Sequence, residues 1–166
     1  HWRGDYDLTQ HMKFSGTDLT YTDPITNEKY IPNIVETSGG VTRTFLFLLL
    51  DAYEEEDLGE GNIRTVLKIH KDIAAYKAAI FPLVGNKEEI VNRAREVFDL
   101  LSDSYKVVWD GRGNIGKRYR YQDEIGTPYC ITIDYETLDN GTVTVRDRDT
   151  MQQQRVKIED LDEIIS

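Results

Sequence analysis

The sequence predicts an α/β chain, α+β overall, built in two parts. Downstream of residue 76, strand and helix patterns take turns, which implies a mixed sheet flanked by helices. Upstream, short β-rich segments bounded by turn formers lead into a single strongly apolar helix. Between the two lies EEEDLGEGN, residues 54–62, rich in charge and glycine and suited to a connector. A domain boundary near residue 72 is expected, giving parts 1–72 and 73–166.

The elements follow in order. A short helix is expected over 7–13. LTYTD and KYIPNIVETS, separated by DP and TNE turn signals, read as a hairpin. SGGVTRTFLFLLLDAYEEED reads as a helix that is apolar on every side through its middle, and so buried, with an acidic tail in solvent. RTVLKI is a strand. The second part reads strand 76–85, helix 86–103, strand 105–110, a short helix within 114–125, strands 129–136 and 142–149, and a last helix over 159–166. The helix after Gly85 carries Ile90, Ala94, Val97, Phe98 and Leu101 at helical spacing, with Asn86 and Glu89 as a capping pair.

Composition narrows the function classes. The 166 residues with 39% hydrophobic content are enough for a packed core. A net charge of −10 makes the average surface repel phosphate, so contact with nucleic acid needs a local basic patch. Cys130 is the lone cysteine, which rules out an intrachain disulfide and gives no sign of an oxidising compartment. The expected setting is cytosolic, and the apolar run Phe45 to Leu50 is too short to span a bilayer. The opening HWRGDYDLTQH reads like the inside of a domain, so a fragment of a longer protein is expected; its Arg-Gly-Asp tripeptide has no secretory context.

Several motifs compete. Gly111, Gly113 and Gly116 form G-x-G-x-x-G between a strand and a helix, with Asp134 near the distance of a ribose-binding acid. Against a dinucleotide site stand Asp110 beside the pyrophosphate position and the lack of an apolar face in KRYRYQDE; the other reading is a glycine turn. Lys117, Arg118 and Arg120, alternating with Tyr119 and Tyr121, suit phosphate contact and base stacking on unpaired nucleotides. A solvated helix face with inward tyrosines remains open. Arg146, Asp147, Arg148 and Asp149 read as cross-strand ion pairs or a protected edge. His1, His11 and His70 lie far apart, so no metal site is expected, and Cys130 reads as a buried structural thiol.

The stretch IPNIVETSGGVTR is the most informative upstream. A strand leads through glycines into a helix start, where backbone N–H groups favour anions. Arg43 in that first turn opposes the helix dipole, which suggests a separate task such as meeting a polyphosphate. Glu36 and Ser38, two apart on a strand, would present a carboxylate and a hydroxyl to an ammonium group.

Together RGDYDLTQH, IPNIVETSGGVTR, TVLKIHKDIAAYKAAIFPLV, GNIGKRYRYQDEIGTPYCITIDYETL and TVTVRDRDTMQQQRV resemble segments of the class II glycyl-tRNA synthetases of the α-dimer type, in order and spacing over nearly the whole chain. The resemblance implies that residues 1–72 end a class II catalytic domain on an antiparallel sheet and include its third signature motif. Residues 73–166 become a mixed-sheet anticodon-binding domain. It implies a glycine pocket from Glu36, Thr37, Ser38, Gly39 and Gly40, and an ATP-binding run from Gly40, Val41, Thr42 and Arg43. Arg3 and Arg43 become catalytic groups close to phosphate. Lys117, Arg118 and Arg120 become the contacts to the tRNA for glycine.

Thr37, Gly39 and Thr42 depart from the family's usual residues, and the first two signature motifs lie outside these residues. The resemblance further implies ATP with magnesium as substrate, glycine and tRNA as partners, no membrane association, and a homodimer in the full-length enzyme. A non-catalytic synthetase-like accessory subunit, a class II enzyme for threonine or proline, and a nicotinamide-dependent oxidoreductase are the alternatives.

Overall fold

The computed structural model describes residues 1–166, which divide into two compact units, His1–Thr44 and Phe45–Ser166. In the first, β1 (Trp2–Gly4) is followed by α1 (Tyr6–Ser15), which stops at Gly16 in the left-handed conformation. β2 (Tyr21–Thr22) pairs antiparallel with β3 (Lys29–Tyr30), forming the expected hairpin in a shorter version. β4 (Ile34–Val35) does not extend that hairpin: it pairs antiparallel with β1, a partner the sequence reading lacks. The chain then enters α2 (Val41–Ala52).

Two expectations for α2 are corrected. Its acidic tail is not helical: the helix ends at Ala52, and Tyr53–Asp57 forms β5, paired antiparallel with β6 (Ile63–Leu67). Cross-strand charge matching explains the switch, since Lys68 pairs with both Glu54 and Glu56 and Arg64 with Glu56. Nor is the helix buried. Phe45, Leu46, Phe47, Leu48 and Leu50 are all exposed, and only Ala52 is buried. Apolar character all round predicts burial, but nothing in this chain covers those faces.

The second unit is built on a five-stranded sheet. Its elements are β7 (Ala78–Pro82), α3 (Glu88–Ser102), β8 (Val107–Trp109), α4 (Ile115–Ile125), β9 (Tyr129–Ile133), α5 (Tyr135–Asn140), β10 (Thr142–Asp147) and β11 (Gln153–Lys157). A 3-10 turn over Ile158–Asp160 leads into α6 (Leu161–Ile165). The strand order is β11-β10-β9-β7-β8; β7 runs parallel to β8 and β9, while β10 is antiparallel to β9 and β11. The expected mixed sheet is present.

The two-residue period of β7 sorts the core into layers. Ala78 and Ile80 face a layer with Ile90, Ala94, Val97 and Leu101 of α3, Ile131, Ile133, Val143 and Val145 of the sheet, and Leu161 and Ile165 of α6. Ala79, Phe81 and Cys130 face the opposite layer with Ile115 and Tyr119 of α4. The α3 face matches its sequence pattern, with Phe98 partly buried against the core. Its N-cap, however, is Lys87 without a side-chain hydrogen bond, so the expected Asn86–Glu89 pair is replaced. Cys130 is buried, and burial pushes its thiol pKa up.

Candidate functional site

Upstream, the site is organised by the β1–β4 pairing. The His1 and Glu36 backbones exchange hydrogen bonds of 2.9 and 2.7 Å, which keeps the chain extended just past β4. This brings Arg3 to Glu36, with Nε 3.6 Å from Oε2. Arg3 is oriented by a two-bond contact to Asp7, in the first turn of α1, at 2.8 and 2.9 Å. That hydrogen bond draws the Asp7 carboxyl below the usual carboxylate range.

The regular strand ends at Val35, so Glu36 and Ser38 do not share a strand face as the alternation implied. Thr37, Ser38, Gly39 and Gly40 form an exposed run leading into α2, and Val41, Thr42 and Arg43 occupy its first turn. Thr44 N–H donates to the Gly40 carbonyl at 2.9 Å, so the helix begins immediately after the glycines. Arg43 is exposed, and the cation that meets Glu36 within this chain is Arg3. No group of three or more His, Cys, Asp or Glu side chains is arranged to hold a metal ion.

Downstream, α4 carries the basic cluster, and its period splits that cluster in two. Asn114 caps the helix by accepting from Lys117 N–H at 2.8 Å, and Gly126 closes it with φ +82°. Arg118, Gln122 and Asp123 point inward and are buried. Arg118 corrects the expectation of a surface contact, because it is only 3% exposed. Its guanidinium donates to the carbonyls of Pro82 at 2.6 Å, Gly113 at 2.8 Å, Arg112 at 3.1 Å and Gly111 at 3.4 Å.

That geometry bears on the glycine fingerprint. α3 and α4 leave neighbouring strands toward opposite faces, so the crevice between the carboxyl ends of β7 and β8 is where such sheets take ligands. Here Arg118 is spent on the Pro82, Gly111 and Gly113 carbonyls, and the hollow of about 480 Å³ beside them is lined by Pro82, Arg95, Trp109 and Asp110. Asp134 is equally engaged: it forms a capping box with Thr137 at the start of α5 and pairs with Arg155.

The outward face of α4 is different. Lys117 and Tyr121 are exposed, Arg120 is half-buried, and with Asn114, Gly116 and Glu124 they line a shallow hollow of about 530 Å³. Tyr119 turns inward, its hydroxyl 2.7 Å from Thr132 Oγ1 and its ring edge-on to Phe81, and burial raises its pKa. Only one of the two tyrosines is therefore available for stacking.

Arg146 and Arg148 also face inward. Arg146 makes a two-bond contact with buried Asp123 at 2.8 and 3.0 Å, and Arg148 donates to the carbonyls of Ile69 and Gly126 at 2.9 and 2.8 Å. The expected cross-strand pairs and protected edge are not what forms, because β10 is an interior strand and β11 is the edge. Arg64, missed by sequence reasoning, completes this network through Asp123 at 2.8 Å and Glu56 at 2.6 Å.

A five-stranded mixed sheet with helices on both faces and a basic ridge on one of them is an α/β domain of the anticodon-binding class. Residues 77–166, more than half of the chain, match the family model of the HGTP anticodon binding domain, and the chain belongs to that family. It is also similar to proteins named glycine–tRNA ligase. That of Clostridium kluyveri is 53% identical over 163 residues, covering 98% of this chain and 35% of the relative. That of Clostridium tetani is 54% identical over 164 residues, covering 99% and 35%, and that of Borreliella afzelii 53% over 163 residues, covering 97% and 36%. The chain thus spans about a third of the length of the curated relatives it matches.

Proposed function

We propose that this chain is part of a glycine–tRNA ligase, in which residues 1–72 end the catalytic domain and residues 73–166 bind the anticodon region. The full-length protein would join glycine to ATP, release pyrophosphate, and pass the glycyl group to the terminal ribose of the tRNA for glycine. The observation that carries this reading is the approach of Arg3 to Glu36 across the β1–β4 pair, beside the exposed Ser38–Arg43 run. That contact puts one cation, Arg3, beside the Glu36 carboxylate, and in this reading the carboxylate serves an ammonium group and the cation a phosphate. The similarity over 98% of the chain to a glycine–tRNA ligase supports the same reading.

In this scheme Glu36 and Ser38 orient the glycine amine, with Thr37, Gly39 and Gly40 shaping a pocket too small for a side chain. Gly40, Val41, Thr42 and Arg43 receive the ATP phosphates, where Arg43 offsets negative charge as the phosphorus centre is attacked and pyrophosphate leaves. Arg3, held by Asp7, stands near the same phosphate. Magnesium enters as a companion of the nucleotide phosphates, not as an ion held by these residues. Lys117 and Arg120 meet RNA phosphate on the outer ridge of α4, while the acidic remainder discourages unspecific RNA contact. The working form is a cytoplasmic homodimer.

The test is amino-acid choice. The full-length protein should charge a tRNA transcript with glycine and not with threonine or proline. Charging with either of the latter, or with none, overturns the proposal. An accessory subunit without chemistry would bind the transcript and charge nothing.

A further inference from the structure

Arg120 is the one basic residue on the outer ridge of α4 whose guanidinium is already held. Its Nη2 donates to Asn62 Oδ1 at 3.0 Å and its Nη1 to the Ile63 carbonyl at 3.2 Å. Both acceptors belong to the tip of the β5–β6 hairpin, and that tip is itself fixed. Leu58 N–H donates to the Asn62 carbonyl and Asn62 N–H to the Gly59 carbonyl, each at 3.0 Å, while Gly59 N–H reaches the Asp57 carboxylate at 2.8 Å. Gly59, Glu60 and Gly61 all take positive φ, +93°, +55° and +74°, which makes the turn tight and specific to its two glycines.

Two residues beyond Asn62, Arg64 is fully buried and bonds Asp123, one turn along α4 from Arg120. The hairpin therefore grips α4 at successive turns, once in the core through Arg64 and once at the surface through Asn62. A guanidinium has five N–H groups in a planar fork. The hairpin uses two of those on Arg120, which leaves the others for an anion in the hollow shared with Lys117 and Tyr121.

We infer that Asn62 is a positioning residue for RNA binding: the hairpin tip holds Arg120 in the conformation that meets a phosphate of unpaired RNA. The recognition surface is then a composite of α4 and the hairpin. The hairpin, residues 53–67, lies outside the segment 77–166 that matches the family model. This inference rests on the reading of Lys117 and Arg120 as RNA contacts. Its physical content is preorganisation, since an arginine already restrained loses less freedom when it binds.

The experiment uses the full-length protein and a transcript of a glycine-accepting tRNA, with dissociation constants measured for wild type, Asn62→Ala, Arg120→Ala and the double variant. Asn62→Ala is expected to weaken binding about 2- to 10-fold, as loss of one restrained side chain predicts. Arg120→Ala should weaken it at least as much, and the double variant no further than Arg120→Ala alone. Glycine-dependent ATP–pyrophosphate exchange should stay at the wild-type rate in Asn62→Ala. Wild-type affinity of Asn62→Ala beside weakened Arg120→Ala, or additive losses in the double variant, would overturn the positioning role alone. Wild-type affinity of Arg120→Ala would overturn the RNA reading of α4 and this inference with it.

Discussion

Arg118 Nη1 donates to the Pro82 carbonyl at 2.6 Å, tying α4 to the carboxyl end of the interior strand β7. The same guanidinium reaches three carbonyls of the β8–α4 loop. A cation on the surface would serve RNA, whereas one surrounded by carbonyls serves the fold. Arg118→Ala strips buried acceptors of a charged donor and should lower stability by about 2–4 kcal/mol in urea unfolding. Unchanged stability together with weakened tRNA binding would return Arg118 to the interface.

Asp123 is the shared acceptor of Arg64 and Arg146, and all three side chains are buried. Removing it leaves buried Arg146 without a carboxylate and Arg64 with Glu56 alone. Asp123→Ala should cost about 3–5 kcal/mol of stability by chemical denaturation. Arg64→Met in the same background should recover part of that loss, and an equal or larger deficit would argue against coupling.

Glu56 joins the hairpin strands through Lys68 and Arg64, and those hydrogen bonds, Lys68 first, hold its carboxyl below the ordinary value of 4.5. A carboxylate whose folded-state pKa is depressed contributes stability that is complete above its unfolded value and is lost as pH falls through the folded one. Acid unfolding should therefore begin below pH 4.5, and Glu56→Gln should shrink the difference in stability between neutral and acid pH. An unaltered difference would contradict the pairing.

Gly126 and Gly113 both take positive φ, +82° and +73°, but in different surroundings. A Cβ at Gly126 would lie 2.9 Å from both Ile69 Cγ2 and the Leu67 carbonyl, while one at Gly113 would meet nothing within 4 Å. Gly113→Ala should cost only the left-handed backbone strain, about 1–2 kcal/mol. Gly126→Ala should cost clearly more because the β6 end must also shift. Equal unfolding midpoints would refute the close approach.

Much of the sheet domain was legible because burial leaves a periodic trace. The α3 face repeats at helical spacing, and β7 and β9 are near-continuous apolar runs covered on both sides. The elements that escaped lack that trace. β11 reads QQRVK and lies at an edge, β5 reads YEEED and is defined by ion pairs to its neighbour, and β1 has three residues. In α4 the fully buried side chains are Arg118, Gln122 and Asp123, and the apolar residues that turn inward, Ile115 and Tyr119, are too few to separate buried cations from exposed ones. The signal that existed was polar: Asp123 stands in the same helix as the arginines, and Arg64 and Arg146 lie far from it in sequence. Upstream, the partner that the fold gives Glu36 is Arg3, 33 residues away in sequence and brought close by a strand pair too short to leave a pattern.

The central claim is that the turn entering α2 receives the phosphates of ATP beside a glycine bound at Glu36. The most direct measurement is glycine-dependent ATP–pyrophosphate exchange by the full-length protein with Arg43→Ala, alongside its affinity for the tRNA transcript. The account predicts exchange reduced by at least about 100-fold, the scale of one lost transition-state charge contact, with tRNA affinity nearly unchanged. Exchange at the wild-type rate would contradict it.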